Sequence, residues 1–164
     1  MGWIDLVNGD IDSVRMNAQL ALEVAPKNNL VLPVAASLLR RVGSYEEAQP
    51  AFEKTIRLNP NPLHWVWIEY AGTLIALQEY DRAKGLLKTA LNRQEAGTQN
   101  TIVYMYLAAI SIFEEKIEEA SKHCNLAKEV TANFDLEKNL KAVSTTTDTA
   151  FYKSLTEAIR KACT

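Results

Sequence analysis

The strongest constraint on this chain is a repeat at a fixed offset of 34 residues. Gly9, Ile11, Val14, Ala18, Leu22 and Pro26 recur as Gly43, Tyr45, Ala48, Phe52, Ile56 and Pro60. Six matches at one offset mark a supersecondary unit that is copied along the chain. A single unit of this size cannot bury its own apolar face, so copies must stack and share one continuous core. Within each unit the apolar residues fall at helical spacing, and no alternating run of the strand type appears. An all-α solenoid follows.

The second unit shows the pattern best. Gly43 follows the helical run Leu38-Leu39-Arg40-Arg41-Val42 and is suited to the positive φ that ends a helix. Ser44 then opens the next helix, with Glu47 three residues on, the spacing of a capping box. Ala48 is small where two helices must approach closely, and Phe52 lies four residues later on the same face. Pro60 stops that helix. These residues resemble the tetratricopeptide (TPR) pattern Gly-x-Tyr-x-x-Ala-x-x-x-Phe followed by Pro, and 34 residues is the TPR period. The resemblance implies an all-α, TPR-type α-solenoid of antiparallel helix pairs wound into a right-handed superhelix. It also implies a scaffold role, with a peptide or partner protein held on the concave side by the first helix of each pair.

The other units drift from the pattern. Tyr80, Ala83, Leu87 and Leu91 repeat the second unit at a slightly longer offset, absorbed by the turn Asn59-Pro60-Asn61-Pro62. Ile117, Ala120 and Cys124 repeat the third, with Glu95 to Asn100 as the lengthened turn. The first unit is incomplete, since Gly2 aligns with Ala36 inside a first helix. The chain is therefore expected to be a piece of a longer protein, or to pair with something at this end through Trp3, Ile4 and Val7. Helices are expected over 2–8, 11–25, 30–42, 45–58, 63–78, 80–93, 100–115, 117–132, 135–143 and 149–162. Two regions are expected: repeats over 1–132 and capping helices over 133–164. Ser144 to Thr147 reads as a loop, with Asp148 or a neighbouring Thr capping the last helix. That helix is expected to cap the fourth unit or, as the second option, to return into the groove.

A narrower resemblance joins this reading. The stretch Arg57 to Trp65 and the ending Leu155 to Ala162 are similar to a repeat junction and a closing tail of TPR regions attached to bacterial class III adenylate or guanylate cyclases. The alternative to a scaffold module is a structural, regulatory or dimerisation segment attached to a signalling enzyme such as a nucleotide cyclase, with its groove occupied by its own C-terminal helix. TPR modules that bind acidic tails carry a basic, amide-rich clamp on the first helices. Here those faces offer Trp65, Ile68 and Ile75, then Ile102, Met105 and Ile112, with only Arg40 and Arg41 to meet a carboxylate. These eight residues are the candidate partner-binding groove. The aromatic set Trp65, Trp67, Tyr70, Tyr104, Tyr106 and Phe113 is expected to be mostly buried.

Chemistry finds little support. His64 and His123 are the two histidines, and neither has ligands converging with it, so no metal is expected. Glu46-Glu47, Glu114-Glu115 and Glu118-Glu119 read as carboxylates at the starts of second helices, where they complement the helix dipole. No phosphate loop or nucleophile elbow is present, so neither a cofactor nor an enzyme activity is expected. The net charge of −2 and pI of about 5.7 give no basic face for nucleic acid or an anionic membrane. Cys124 and Cys163 form neither a disulfide framework nor a zinc spacing and are expected to be reduced thiols in a cytoplasmic protein. The expected partner is a protein or a peptide, with a homodimer as the further option.

Overall fold

The computed structural model describes residues 10–93, 98–143 and 148–164. Nine helices run through the described residues, and no strand is found among them: α1 (Ile11–Val24), α2 (Val31–Arg41), α3 (Tyr45–Leu58), α4 (His64–Ala76), α5 (Tyr80–Leu91), α6 (Thr98–Phe113), α7 (Ile117–Glu129), α8 (Leu136–Val143) and α9 (Thr149–Cys163). The expected helix over 2–8 and the loop Ser144 to Thr147 lie outside the described residues. None of the helices is long and apolar enough to cross a membrane.

The pairs α2–α3, α4–α5 and α6–α7 each pack as a hairpin and stack in order, with α1 against α2. The sequence repeat becomes columns of buried side chains. Ala48, Ala83 and Ala120 sit at equivalent positions of α3, α5 and α7, and all are inaccessible to solvent. One turn later, Phe52, Leu87 and Cys124 are buried too. A methyl group lets the two helices close, and the larger residue fills the space beyond them. Phe52 is stacked on Tyr70 of the next pair, with ring centroids 5.4 Å apart. Its burial therefore joins two units as well as two helices.

The turn inside each pair is built the same way three times. Gly43 has φ 79°, and Gln78 and Glu115 hold φ near 61° and 62° at the corresponding positions. In each turn the left-handed residue donates to a carbonyl three residues back and its successor donates five back: Gly43 to Arg40 and Ser44 to Leu39, Gln78 to Ile75 and Glu79 to Leu74, Glu115 to Ile112 and Lys116 to Ser111. This double bond closes the carbonyls at the helix end. Only the first copy spends a glycine on it.

The expected capping box at Ser44 does not form. The Ser44 hydroxyl accepts from Arg15 Nε at 3.0 Å, and Glu47 accepts from Gln19 at 2.7 Å. Both side chains reach across to α1, so contact with the neighbouring unit wins over local capping. Similar rungs link the later units: Gln49 donates to Glu79, and Lys84 to Glu114. Glu46 and Glu47 do lie in the first turn of α3, and Glu118 and Glu119 in that of α7. Glu114 and Glu115 instead form the preceding turn, where Glu114 takes bonds from Lys84 and Lys116 at 2.8 Å each.

The last helix returns along the array. Asp148 caps α9 by accepting from the N–H groups of Ala150 and Phe151. The helix buries Leu155, Ala158, Ile159 and Ala162, packing along α6 and, over a shorter length, α7. It caps the fourth unit, yet its first turn reaches the second. Phe151 meets the Tyr45 ring edge-on at 5.5 Å, and the Asp148 side chain lies against Gly43. Its far end is bonded to the array, because Cys163 forms a disulfide with Cys124 of α7. The two cysteines are thus not the separate reduced thiols expected. They are far apart in sequence, and only the return of α9 brings their Cα atoms to 5.4 Å.

Candidate interaction surfaces

The eight candidate groove residues do not form one accessible surface. Arg40 is 1% exposed, and Ile68, Ile75 and Met105 are buried with it. Arg41, Trp65, Ile102 and Ile112 are partly buried. Ile112 packs on a small cluster of Ala108, Ala120 and Ala162, the last contributed by α9. The first-helix faces of the third and fourth units are therefore largely packed against neighbouring helices, with α9 laid along α6. The aromatic set follows the expected burial: Trp67, Tyr70 and Tyr106 are buried, and Trp65, Tyr104 and Phe113 partly so.

Arg40 and Arg41 serve a buried polar cluster. Arg40 Nη2 donates to the Tyr106 hydroxyl at 2.8 Å, and Arg40 Nη1 lies 3.4 Å from Glu69. Arg41 donates to the other Glu69 oxygen at 3.1 Å, and Ser37 donates to Glu69 as well. One carboxylate on α4 thus holds two guanidinium groups of α2, and a phenol of α6 completes the set. A buried charge needs such partners, since an uncompensated one costs several kcal/mol. Burial pushes the Tyr106 phenol above its ordinary pKa, so it stays neutral. Gly72 makes room for the cluster: a Cβ there would stand 2.5 Å from Arg40 Nη2. These arginines hold three first helices together and are not displayed for a carboxylate ligand.

Neither histidine lies in a reactive setting. His64 is buried, with Nε2 3.0 Å from the Ala90 carbonyl oxygen. His123 lies 3.6 Å from Glu119 one turn away. Burial lowers its pKa, and Glu119 only partly opposes that. Among the described residues, no group of three or more His, Cys, Asp or Glu side chains converges to hold a metal ion.

An accessible apolar cleft does exist, between the entry turns of the second and third units. It has a volume of about 250 Å³ and is lined by Leu30, Pro33 and Val34 from one unit and Pro62, Leu63, Trp65 and Val66 from the next, with Asn29 and Asn59 at its edge. Leu30 is 76% and Leu63 63% exposed. Local bonds fix both turns. Asn28 Oδ1 accepts from the N–H groups of Leu30 and Val31, and Asn59 Oδ1 accepts from that of Asn61. Such side-chain turns pre-set the backbone where asparagine precedes a helix. Arg93, just beyond α5, adds a brace. Its guanidinium donates to the Pro62 and Pro60 carbonyls and lies 5.0 Å from the centre of the Trp67 ring. The sequence signal for this cleft was Trp65 beside the Asn-Pro-Asn-Pro turn. Leu30 and Val34 were missed because they precede the best-conforming part of the repeat.

Stacked helix pairs, repeated left-handed turns and columns of alternating small and large residues make this an all-α, TPR-type α-solenoid. A family model described as tetratricopeptide repeat matches residues 39–97, from the end of α2 to beyond α5. No curated protein matches the chain. TPR repeats in general mediate protein–protein interaction.

Proposed function

We propose that this chain is a protein-interaction module that takes an apolar segment of a partner peptide in the cleft between Leu30 and Leu63. The carrying observation is the exposure of these two leucines on either side of a pre-formed depression. Binding sites are usually concave, mainly apolar and largely pre-formed. The cleft lies at the first-helix ends of adjacent units, has no cationic residue in its lining, and suits aliphatic or aromatic side chains better than acidic ones. Trp65 supplies the large, partly exposed aromatic surface typical of interaction hot spots.

Selection of a random twelve-residue peptide library against the whole chain tests this reading. Enriched peptides should carry one or two large apolar residues, and Leu63→Asp should weaken them by about tenfold or more. Peptides that bind Leu63→Asp and Leu30→Asp as tightly as the parent would refute the cleft as the site.

A second reading is favoured by the position of α9. A helix that covers the α6–α7 face and reaches the second unit suits a regulatory or dimerisation segment with its groove occupied from within, attached to a signalling enzyme such as a nucleotide cyclase. Exchange of α9 between two copies would make a homodimer without any new type of contact.

A further inference from the structure

We infer that the Cys124–Cys163 bond is a redox-operated clasp that decides whether the last turn of α9 stays on the fourth unit. The inference stands apart from the cleft reading, because it concerns a different face.

The two ends of α9 are held by different means. At its start, Asp148 caps the helix and packs on Gly43, while Phe151 meets the Tyr45 ring. The middle is anchored by Leu155 and Ile159, both fully buried. The last turn has little apolar grip. Its buried side chain is Ala162, packed with Ala108 and Ala120, and one methyl group removes little surface from water. The polar contacts there are exposed: Arg160 with Glu137, and Lys128 Nζ with the Cys163 carbonyl at 3.4 Å. Exposed ion pairs add little. The covalent bond is therefore the main restraint on this end.

The bond is placed where it can be operated. Cys124 is 1% exposed, beneath α9. Cys163 is only partly buried. A thiolate from a dithiol reductant reaches the Cys163 sulfur first. It forms a mixed disulfide there, and Cys124 leaves as a thiolate that takes up a proton. The reductant's second thiol then displaces Cys163. In total the S–S bond breaks, both cysteines become S–H, and the dithiol is oxidised to its own disulfide. Glutathione disulfide reverses this, being reduced to two thiols as the protein bond re-forms. Once reduced, the last turn of α9 is held by alanine packing and solvent-exposed contacts alone. The face formed by Ala108, Ile112, Ala120 and Cys124 then opens to solvent.

Hydrogen exchange read by mass spectrometry on the whole chain tests the clasp. The protein is first equilibrated with glutathione disulfide and treated with iodoacetamide under denaturing conditions, which should add no label if the bond has formed. The amides of residues 160–164, resolved from overlapping peptides, should then exchange about tenfold or more faster after dithiothreitol, while α2 and α4 stay unchanged. Cys163→Ser should show the fast pattern with and without dithiothreitol. Two labelled thiols after glutathione disulfide, equal exchange of the α9 end in both redox states, or a uniform rise across all helices would each overturn the inference.

Discussion

Gly72→Ala sets two well-known effects against each other, and the structure says which should win. Alanine is favoured over glycine inside a helix by about 1 kcal/mol, so sequence rules alone predict a gain. At this position the new Cβ would stand 2.5 Å from Arg40 Nη2, 2.7 Å from Nε and 3.0 Å from Cζ, where ordinary contacts begin near 3.4 Å. The guanidinium must move by roughly an ångström, and it is buried and tied to Tyr106 at 2.8 Å. Overpacking a core costs about 1–3 kcal/mol, and weakening a hydrogen bond to a buried charge adds about 1.5–3 kcal/mol. These losses overlap, so a net destabilisation of about 2–4 kcal/mol is expected. Urea melts followed by helical circular dichroism would measure it. Arg40→Met should then make Gly72→Ala much less harmful, with a coupling of about 1 kcal/mol or more in a double-mutant cycle. A Gly72→Ala protein that melts at or above the parental midpoint would show that the Arg40 cluster is not fixed in this place.

Three more outcomes follow from the packing, the turns and the charges. Phe52→Ala should cost about 3–5 kcal/mol in the same melts, through lost burial and a cavity between two units. Gln78→Gly should stabilise by about 0.5–1 kcal/mol, because Gln78 is exposed and holds the left-handed φ that Gly43 adopts without strain; a loss of stability would contradict the turn assignment. Burial raises the Glu114 pKa, but hydrogen bonds from Lys116 and Lys84 outweigh it and leave the carboxyl below its ordinary value of 4.5. The paired carboxylate therefore stabilises the fold above that pH, and the contribution is lost as pH falls through the lower folded value. Glu114→Gln should accordingly weaken the protein at pH 7 and make little difference near pH 3, as compared by urea denaturation at the two values.

The helix order was readable because period and apolar spacing report directly on which face is buried. Ala48 and Phe52 marked columns that continue through Ala83, Leu87, Ala120 and Cys124, even where the residue type drifts. The turns at Gln78 and Glu115 were not readable as left-handed, since neither residue signals a positive φ. Stacking imposes that backbone whatever side chain stands there. In sequence, Arg40 looks like a groove cation because it falls on a first-helix face. The opposing signal was Gly72, a gap in α4 that a long side chain could fill, and a single sequence gives no way to pair the two. The disulfide was hidden for a similar reason, as its partners meet only after α9 folds back. The exposed leucines of the cleft lie in turns, where repeat patterns carry least information.

The contact between Tyr45 and Phe151 also bears on how the chain assembles. Contacts between stacked units join residues about thirty positions apart, as in Gln49 with Glu79 or Lys84 with Glu114. Closing such short loops is fast, and growth can begin at any junction. Phe151 meets a ring from the far side of the repeat array, a surface that exists only once the second and fourth units are already in place. With the Cys124–Cys163 bond reduced, docking of α9 is thus expected to be the last event in folding and its release the first in unfolding. Until it docks, the α6–α7 face of an otherwise formed array is uncovered and open to the same helix from another copy.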